Sequence, residues 1–118
     1  KTGVASSTYR DEVLFRMQYA GLSGLFPLVL GGDDIQHAKP APDIFLKMAE
    51  MLDSTPEECL VLEDSENGVL AARSAGMHVF VVKNLCPITT GMQQNADAIF
   101  SSHHELLAYF QANRPNLF

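Results

Sequence analysis

Apolar and polar residues follow one another along this chain in two rhythms, and the switches between them mark out its elements. Gly3-Val4-Ala5 is a short apolar run that breaks into Ser6-Ser7-Thr8, which reads as a strand and a turn. Val13, Leu14, Met17 and Ala20 then recur at helical spacing, and Gly21 stops the helix. Thr8, with Asp11 three positions on, is expected to cap it. Leu25 to Leu30 predicts a second strand, with Pro27 near its start, where a missing N–H is tolerated, and Gly31-Gly32 at its end. Asp33 to Ala38 is polar loop. Lys39 precedes a proline, which pushes it toward extended geometry and out of the next helix, and Pro42 fits a first helical turn. Ile44, Phe45, Met48, Ala49 and Leu52 make that helix's buried face.

Thr55-Pro56-Glu57-Glu58 is a capping-box turn into the most informative stretch, Cys59 to Val69. The uncharged run Cys59 to Leu62 predicts a strand buried on both faces, as in parallel sheets. It runs into two adjacent carboxylates, Glu63 and Asp64, and then into a helix from about Glu66 to Ala75 that Gly76 stops. Met77 to Val82 predicts a further strand, Ala96 to Phe100 a short edge strand, and Leu106, Leu107 and Phe110 a closing helix. Strands alternating with helices predict βαβ units, so the expected fold is a three-layer α/β/α sandwich with a Rossmann-like, mostly parallel sheet.

Composition narrows the function. The 118 residues carry 14 acidic and 8 basic side chains, a formal charge of −6, which disfavours a nucleic-acid partner gripped through its phosphates. No apolar run is long enough to span a bilayer. No secretory leader opens the chain, so a cytoplasmic setting is expected. Cys59 and Cys86 have no metal-type spacing, and Cys59 reads as a reduced core thiol. A start at Lys1, already close to a strand, is what a piece of a longer polypeptide would show.

Three junctions carry candidate chemistry. Ser6 and Ser7 lie between a strand and a helix start, where free N–H groups favour an anion, although simple capping would use the same residues. Lys39 offers a point charge on a constrained backbone, or is an ordinary surface lysine. Glu63 and Asp64 sit beyond a strand's carboxyl end, where ligands gather in open parallel sheets. Two hard oxygen donors there suit Mg²⁺, and a solvated acidic turn is the plainer alternative. Taken together they meet the needs of phosphoryl transfer, which is mostly positioning plus electrostatics. Arg10 and His37 are further candidates for the substrate side, each equally readable as a solvated residue. Asp33-Asp34 reads as a solvated turn. His78 and His103-His104 lack zinc spacing, and Gly31-Gly32 is no dinucleotide fingerprint.

At these residues the chain resembles the haloacid dehalogenase superfamily, in particular the phosphatases and mutases grouped with β-phosphoglucomutase. The resemblance lies in Gly3-Val4-Ala5-Ser6-Ser7, in His37-Ala38-Lys39-Pro40-Ala41-Pro42-Asp43-Ile44-Phe45, and in Leu62-Glu63-Asp64-Ser65 through Asn67-Gly68, continuing into Ala71 to Met77. It implies that Ser6 contacts the transferring phosphoryl group, with the Ser7 N–H beside it. Lys39 would bridge that group and a nucleophilic carboxylate, and Asp64 would bind Mg²⁺ with Glu63 as a direct or water-mediated helper. The family's first motif, an Asp-x-Asp pair that supplies nucleophile and general acid, is absent, as is the helical cap. The resemblance therefore implies a partial core domain over 1–118, needing a missing N-terminal segment whose strand would lie between those ending at Ser6 and Asp64. The implied activity is a Mg²⁺-dependent phosphomonoester hydrolase for a small phosphorylated metabolite, most simply a sugar phosphate, through an aspartyl-phosphate intermediate. A phosphomutase shares the site chemistry. A non-catalytic phosphate- and Mg²⁺-binding signalling module would order its acids and lysine the other way round, and an inert fragment is the remaining alternative.

Overall fold

The computed structural model describes residues 1–117. Strands and helices alternate through it: β1 (Gly3–Ala5), α1 (Arg10–Tyr19), β2 (Leu28–Leu30), α2 (Asp43–Met51), β3 (Leu60–Glu63), α3 (Glu66–Ser74), β4 (His78–Val82), α4 (Thr90–Asn95), β5 (Ala98–Phe100) and α5 (His103–Asn113). All strand pairs found are parallel. β1 pairs with β2, placing Ala5 opposite Leu30. β3 pairs with β4, placing Glu63 opposite Val81, and β4 pairs with β5. Parallel pairing with helical crossovers brings the carboxyl ends of the strands to one edge of the molecule.

The strand pattern explains the layers. Val79 and Val81 of β4 point into the larger core with Ile44, Phe45 and Met48 of α2 and Val69, Ala71 and Ala72 of α3. The alternate residues Phe80 and Val82 face the other way, against Phe100, Leu106 and Phe110. Tyr109 joins that second cluster edge-on to Phe80, with ring centroids 5.6 Å apart. Period-two alternation thus puts α2, α3 and α4 on one face and α5 on the other, as a three-layer sandwich requires. Ser65 caps α3 by accepting the Gly68 N–H at 3.1 Å, and Gly76 ends it at φ +76°, the left-handed conformation that glycine adopts without cost. Of the Thr55–Glu58 capping box, the Glu58 half forms, its Oε2 accepting the Thr55 N–H at 3.1 Å, while the Thr55 side chain makes no cap bond.

The sheet is not continuous. β1-β2 and β3-β4-β5 form two separate ribbons. Between β1 and β3 runs a slot of about 270 Å³ walled by Gly3, Ala5, Phe45, Met48, Leu60 and Leu62. This corrects the expectation that β3 is buried on both faces: Val61 is buried, but Leu60 is 40% and Leu62 50% exposed. Val61 faces the core formed with α2 and α3, whereas Leu60 and Leu62 point to the opposite face and wall the slot beside the unpaired edge of β3.

Local expectations also shift. Thr8 does not cap α1. The N-cap is Tyr9, without a side-chain bond, because the Thr8 carbonyl accepts the Gly32 N–H at 2.9 Å and its own N–H donates to Ser6 Oγ at 3.2 Å. The second strand is shorter than Leu25 to Leu30, and α4 was not signalled at all. Cys59 is partly exposed rather than a core thiol. Burial is still the main influence pushing its thiol up, and Glu58 and Glu57 add to it. At the edge opposite the strands' carboxyl ends, Asp97 ties β4 to α3. It accepts the Val79 N–H at 2.8 Å and pairs with Arg73 at 2.9 Å.

Candidate active site

Four of the residues singled out by sequence meet at the carboxyl edge of the strands, at the mouth of the slot. Lys39 comes from the loop before α2, and its side chain is only 9% exposed, as is that of Glu63. The ammonium lies 2.5 Å from Glu63 Oε1, 3.5 Å from the Ala5 carbonyl at the end of β1, and 4.8 Å from the Phe45 ring centroid. It therefore spans the gap between the ribbons. The preceding loop is held by Asp43, whose Oδ2 accepts the His37 N–H at 3.2 Å and faces the His37 ring at 3.0 Å.

Glu63 is fastened from both sides. While Oε1 meets Lys39, Oε2 accepts the Ser65 hydroxyl at 3.0 Å and the N–H groups of Asp64 and Ser65 at 3.2 and 3.3 Å. These N–H groups open α3, where the helix dipole also favours a carboxylate. The carboxylate rests on Gly68, where an added Cβ would stand 2.0–2.3 Å from its atoms. A buried ion pair with its remaining hydrogen-bond sites filled is a rigid fixture, and removing one partner strands the other charge at about 3–5 kcal/mol. Both Glu63 oxygens are thus engaged by the protein, and its direct contact is with Lys39. Asp64 differs. Its Oδ2 accepts from Asn84 Nδ2 at 3.2 Å, and among the described residues its other oxygen has no hydrogen-bond partner. It lines a cleft of about 390 Å³ with Ser6, Glu63, Asn84 and His103.

Ser6 continues β1 in register, its N–H donating to the Leu30 carbonyl at 3.0 Å. The turn that follows packs so closely on the loop after β2 that only glycine fits there. A Cβ on Gly32 would lie 2.3 Å from the Ser7 carbonyl oxygen, and one on Gly31 2.2 Å from the Arg10 nitrogen. Asp33 and Asp34 are more than a solvated turn, for they accept the Arg10 and Gly31 N–H groups at 2.8 Å each. Arg10 and His37 have exposed side chains and line neither the cleft nor the slot. Asn84 escaped the sequence reading, and His103, Gly32 and Gly68 were named in it without a place at this site. For Asn84 the usable signal was its place just past a parallel strand's carboxyl end.

The donors fit Mg²⁺ in kind. Mg²⁺ is commonly held by one or two carboxylates, with water and substrate phosphate completing six oxygens, and Asp64 presents such a carboxylate to the cleft. No cluster of three or more His, Cys, Asp and Glu side chains suited to a metal occurs among the described residues.

A parallel α/β sheet with a nearly buried lysine, a serine turn and an acidic helix start along one edge is the class of site that this fold builds. The comparisons name the family within that class. The chain belongs to the haloacid dehalogenase-like hydrolases, whose family profile matches residues 1–82. It is 37% identical to a bifunctional riboflavin kinase/FMN phosphatase of Arabidopsis thaliana over 84% of this chain and 26% of that protein. To the fructose-1-phosphate phosphatase YqaB of Escherichia coli it is 41% identical, over 70% of this chain and 43% of that one. A phosphorylated carbohydrates phosphatase of Thermotoga maritima is 40% identical over 65% and 36%, respectively. Among solved structures, a Thermotoga maritima protein provisionally described as a β-phosphoglucomutase superposes with a TM-score of 0.86 at 31% identity, covering 96% of this chain and 53% of that one. A HAD phosphatase from Thermococcus onnurineus gives 0.82 at 27% identity, covering 97% and 52%. The chain thus spans about half the length of these structures and less than half of these relatives.

Proposed function

We propose that these residues are the phosphate- and metal-handling part of a Mg²⁺-dependent phosphomonoester hydrolase for a small phosphorylated metabolite, a sugar phosphate by preference. The observation that carries the reading is Lys39: a nearly buried ammonium, held by Glu63, that spans the ends of two strands with a slot between them. An ammonium so placed is a preorganised charge stabiliser for a transferring phosphoryl group. Fructose-1-phosphate and phosphorylated carbohydrates in the names of two relatives support the substrate class.

In the proposed reaction an aspartate outside these residues, on a strand filling the slot, attacks phosphorus. The bond from phosphorus to the leaving oxygen breaks, and a second aspartate protonates that oxygen. Water then hydrolyses the aspartyl phosphate. Ser6 and the Ser7 N–H hold phosphoryl oxygens, and Lys39 offsets their charge while orienting the attacking carboxylate. Mg²⁺ on Asp64, when bound, supplies further neutralisation of the phosphoryl oxygens. The likeness to a protein described as a β-phosphoglucomutase favours phosphomutase activity as the second reading, since the same groups would serve a sugar acceptor in place of water. No described helix is long and apolar enough to cross a membrane.

The test is phosphate release from a panel of sugar phosphates by the full-length protein, with Mg²⁺ and with chelator. Hydrolysis that needs Mg²⁺ and falls with Lys39→Ala supports the reading. Metal-independent release, or none from any phosphomonoester, overturns it.

A further inference from the structure

We infer that Asn84 is a positioning residue for Asp64, holding one carboxylate oxygen so that the other is presented to a divalent cation. The inference rests on the functional reading above. β4 ends at Val82, but the chain keeps its register one residue further, where the Lys83 N–H donates to the Phe100 carbonyl at 2.8 Å. With Glu63 opposite Val81, the backbone beyond Val82 passes alongside Asp64, and Asn84 Nδ2 comes to 3.2 Å from Oδ2.

The loop is fastened again at its far end. Thr89 Oγ1 donates to Glu66 Oε1 at 3.0 Å and caps α4 by accepting the Met92 N–H at 3.1 Å. Gly91 leaves room for this, since a Cβ there would lie 1.7 Å from Glu66 Oε1. Residues 84–88 therefore run between the Lys83 bond to β5 and the Thr89 bond to Glu66 at the start of α3, which limits where Asn84 can stand.

The residue type matters. A neutral amide N–H holds a carboxylate oxygen without cancelling its charge, whereas a lysine would neutralise it and a second acid would repel it. Groups that orient a metal-binding carboxylate change metal affinity by about 10–100-fold when removed. A hydrogen bond between two exposed side chains adds little to folding stability, so variants at Asn84 are expected to fold.

The experiment is titration of full-length wild-type, Asn84→Ala, Asn84→Leu and Asp64→Asn proteins with Mn²⁺, read by the electron paramagnetic resonance of free Mn²⁺ and competed with Mg²⁺. Circular dichroism checks folding. Both Asn84 variants should weaken Mn²⁺ binding about tenfold, with kcat recovering at saturating metal, and Asp64→Asn should lose the site. Unchanged Mn²⁺ affinity in both Asn84 variants, while Asp64→Asn loses binding, overturns the role of Asn84 and leaves the functional reading standing. Unchanged affinity in Asp64→Asn overturns the metal reading of the site, and the role of Asn84 with it.

Discussion

Replacing Gly68 by alanine sets two effects against each other, and the structure decides between them. Gly68 occupies the first turn of α3, a position where alanine ordinarily gains about 1 kcal/mol over glycine. Its backbone is not in the left-handed region, so alanine carries no conformational penalty. The added methyl would, however, meet the Glu63 carboxylate at 2.0–2.3 Å. Glu63 cannot yield cheaply, because its oxygens are held by Lys39, by Ser65 and by two N–H groups. Moving it would loosen a buried ion pair whose full loss costs about 3–5 kcal/mol. With partial relaxation about half of that is expected, so Gly68→Ala should destabilise by roughly 0.5–1.5 kcal/mol net. Urea unfolding of the full-length protein without metal would measure it. In a Glu63→Ala background the obstacle is gone, and the same substitution should become stabilising by about 0.5–1 kcal/mol. A ΔΔG of the same sign and size in both backgrounds would refute the claim that the carboxylate rests on Gly68.

Lys39→Ala should lower kcat of the full-length enzyme by about 10²–10³, as for loss of one preorganised charge stabiliser, and near-normal turnover would remove Lys39 from the mechanism. Gly32→Ala places a methyl 2.3 Å from the Ser7 carbonyl oxygen, so it should push the serine turn outward and raise the inhibition constant for inorganic phosphate about tenfold or more, on the order of the loss of one charged-group hydrogen bond. Asp97 titrates below its ordinary 3.8: burial opposes its ionisation, but the Val79 N–H and Arg73 together outweigh it. A lowered native value means that the unfolded chain binds more protons, so this contribution is present above about pH 4 and fades as pH falls through the native value. Asp97→Asn should flatten the acid limb of stability against pH, and an unchanged limb would count against the Asp97 latch.

Much of the layout was legible because it is periodic or punctuated. The α2 face of Ile44, Phe45, Met48 and Ala49 is buried as spaced, and Gly76 stops α3 for a steric reason visible in the sequence. α4 was not legible, since Thr90–Asn95 has a single apolar residue, Met92, which is buried in the large core by tertiary contact. The cap at Thr8 failed for the opposite reason. A local signal was present, but the approach of Gly32 claimed the backbone that the cap needed. At the site, residue types at strand ends pointed to Ser6, Lys39, Glu63 and Asp64, but nothing in their spacing distinguished the carboxylate that fastens Lys39 from the one left open to the cleft.

The sequence alone determined the order of strands and helices apart from α4, the parallel architecture and the kinds of side chain at each strand's end, since these follow from periodicity, glycine and proline placement and motif. Only the tertiary structure decided that Lys39 pairs with Glu63 rather than standing in solvent and that Asp64 keeps an open oxygen. Those outcomes depend on distances between segments far apart in the chain, where packing, charge pairing and the clearance above Gly32 and Gly68 act together, and no local pattern encodes such distances.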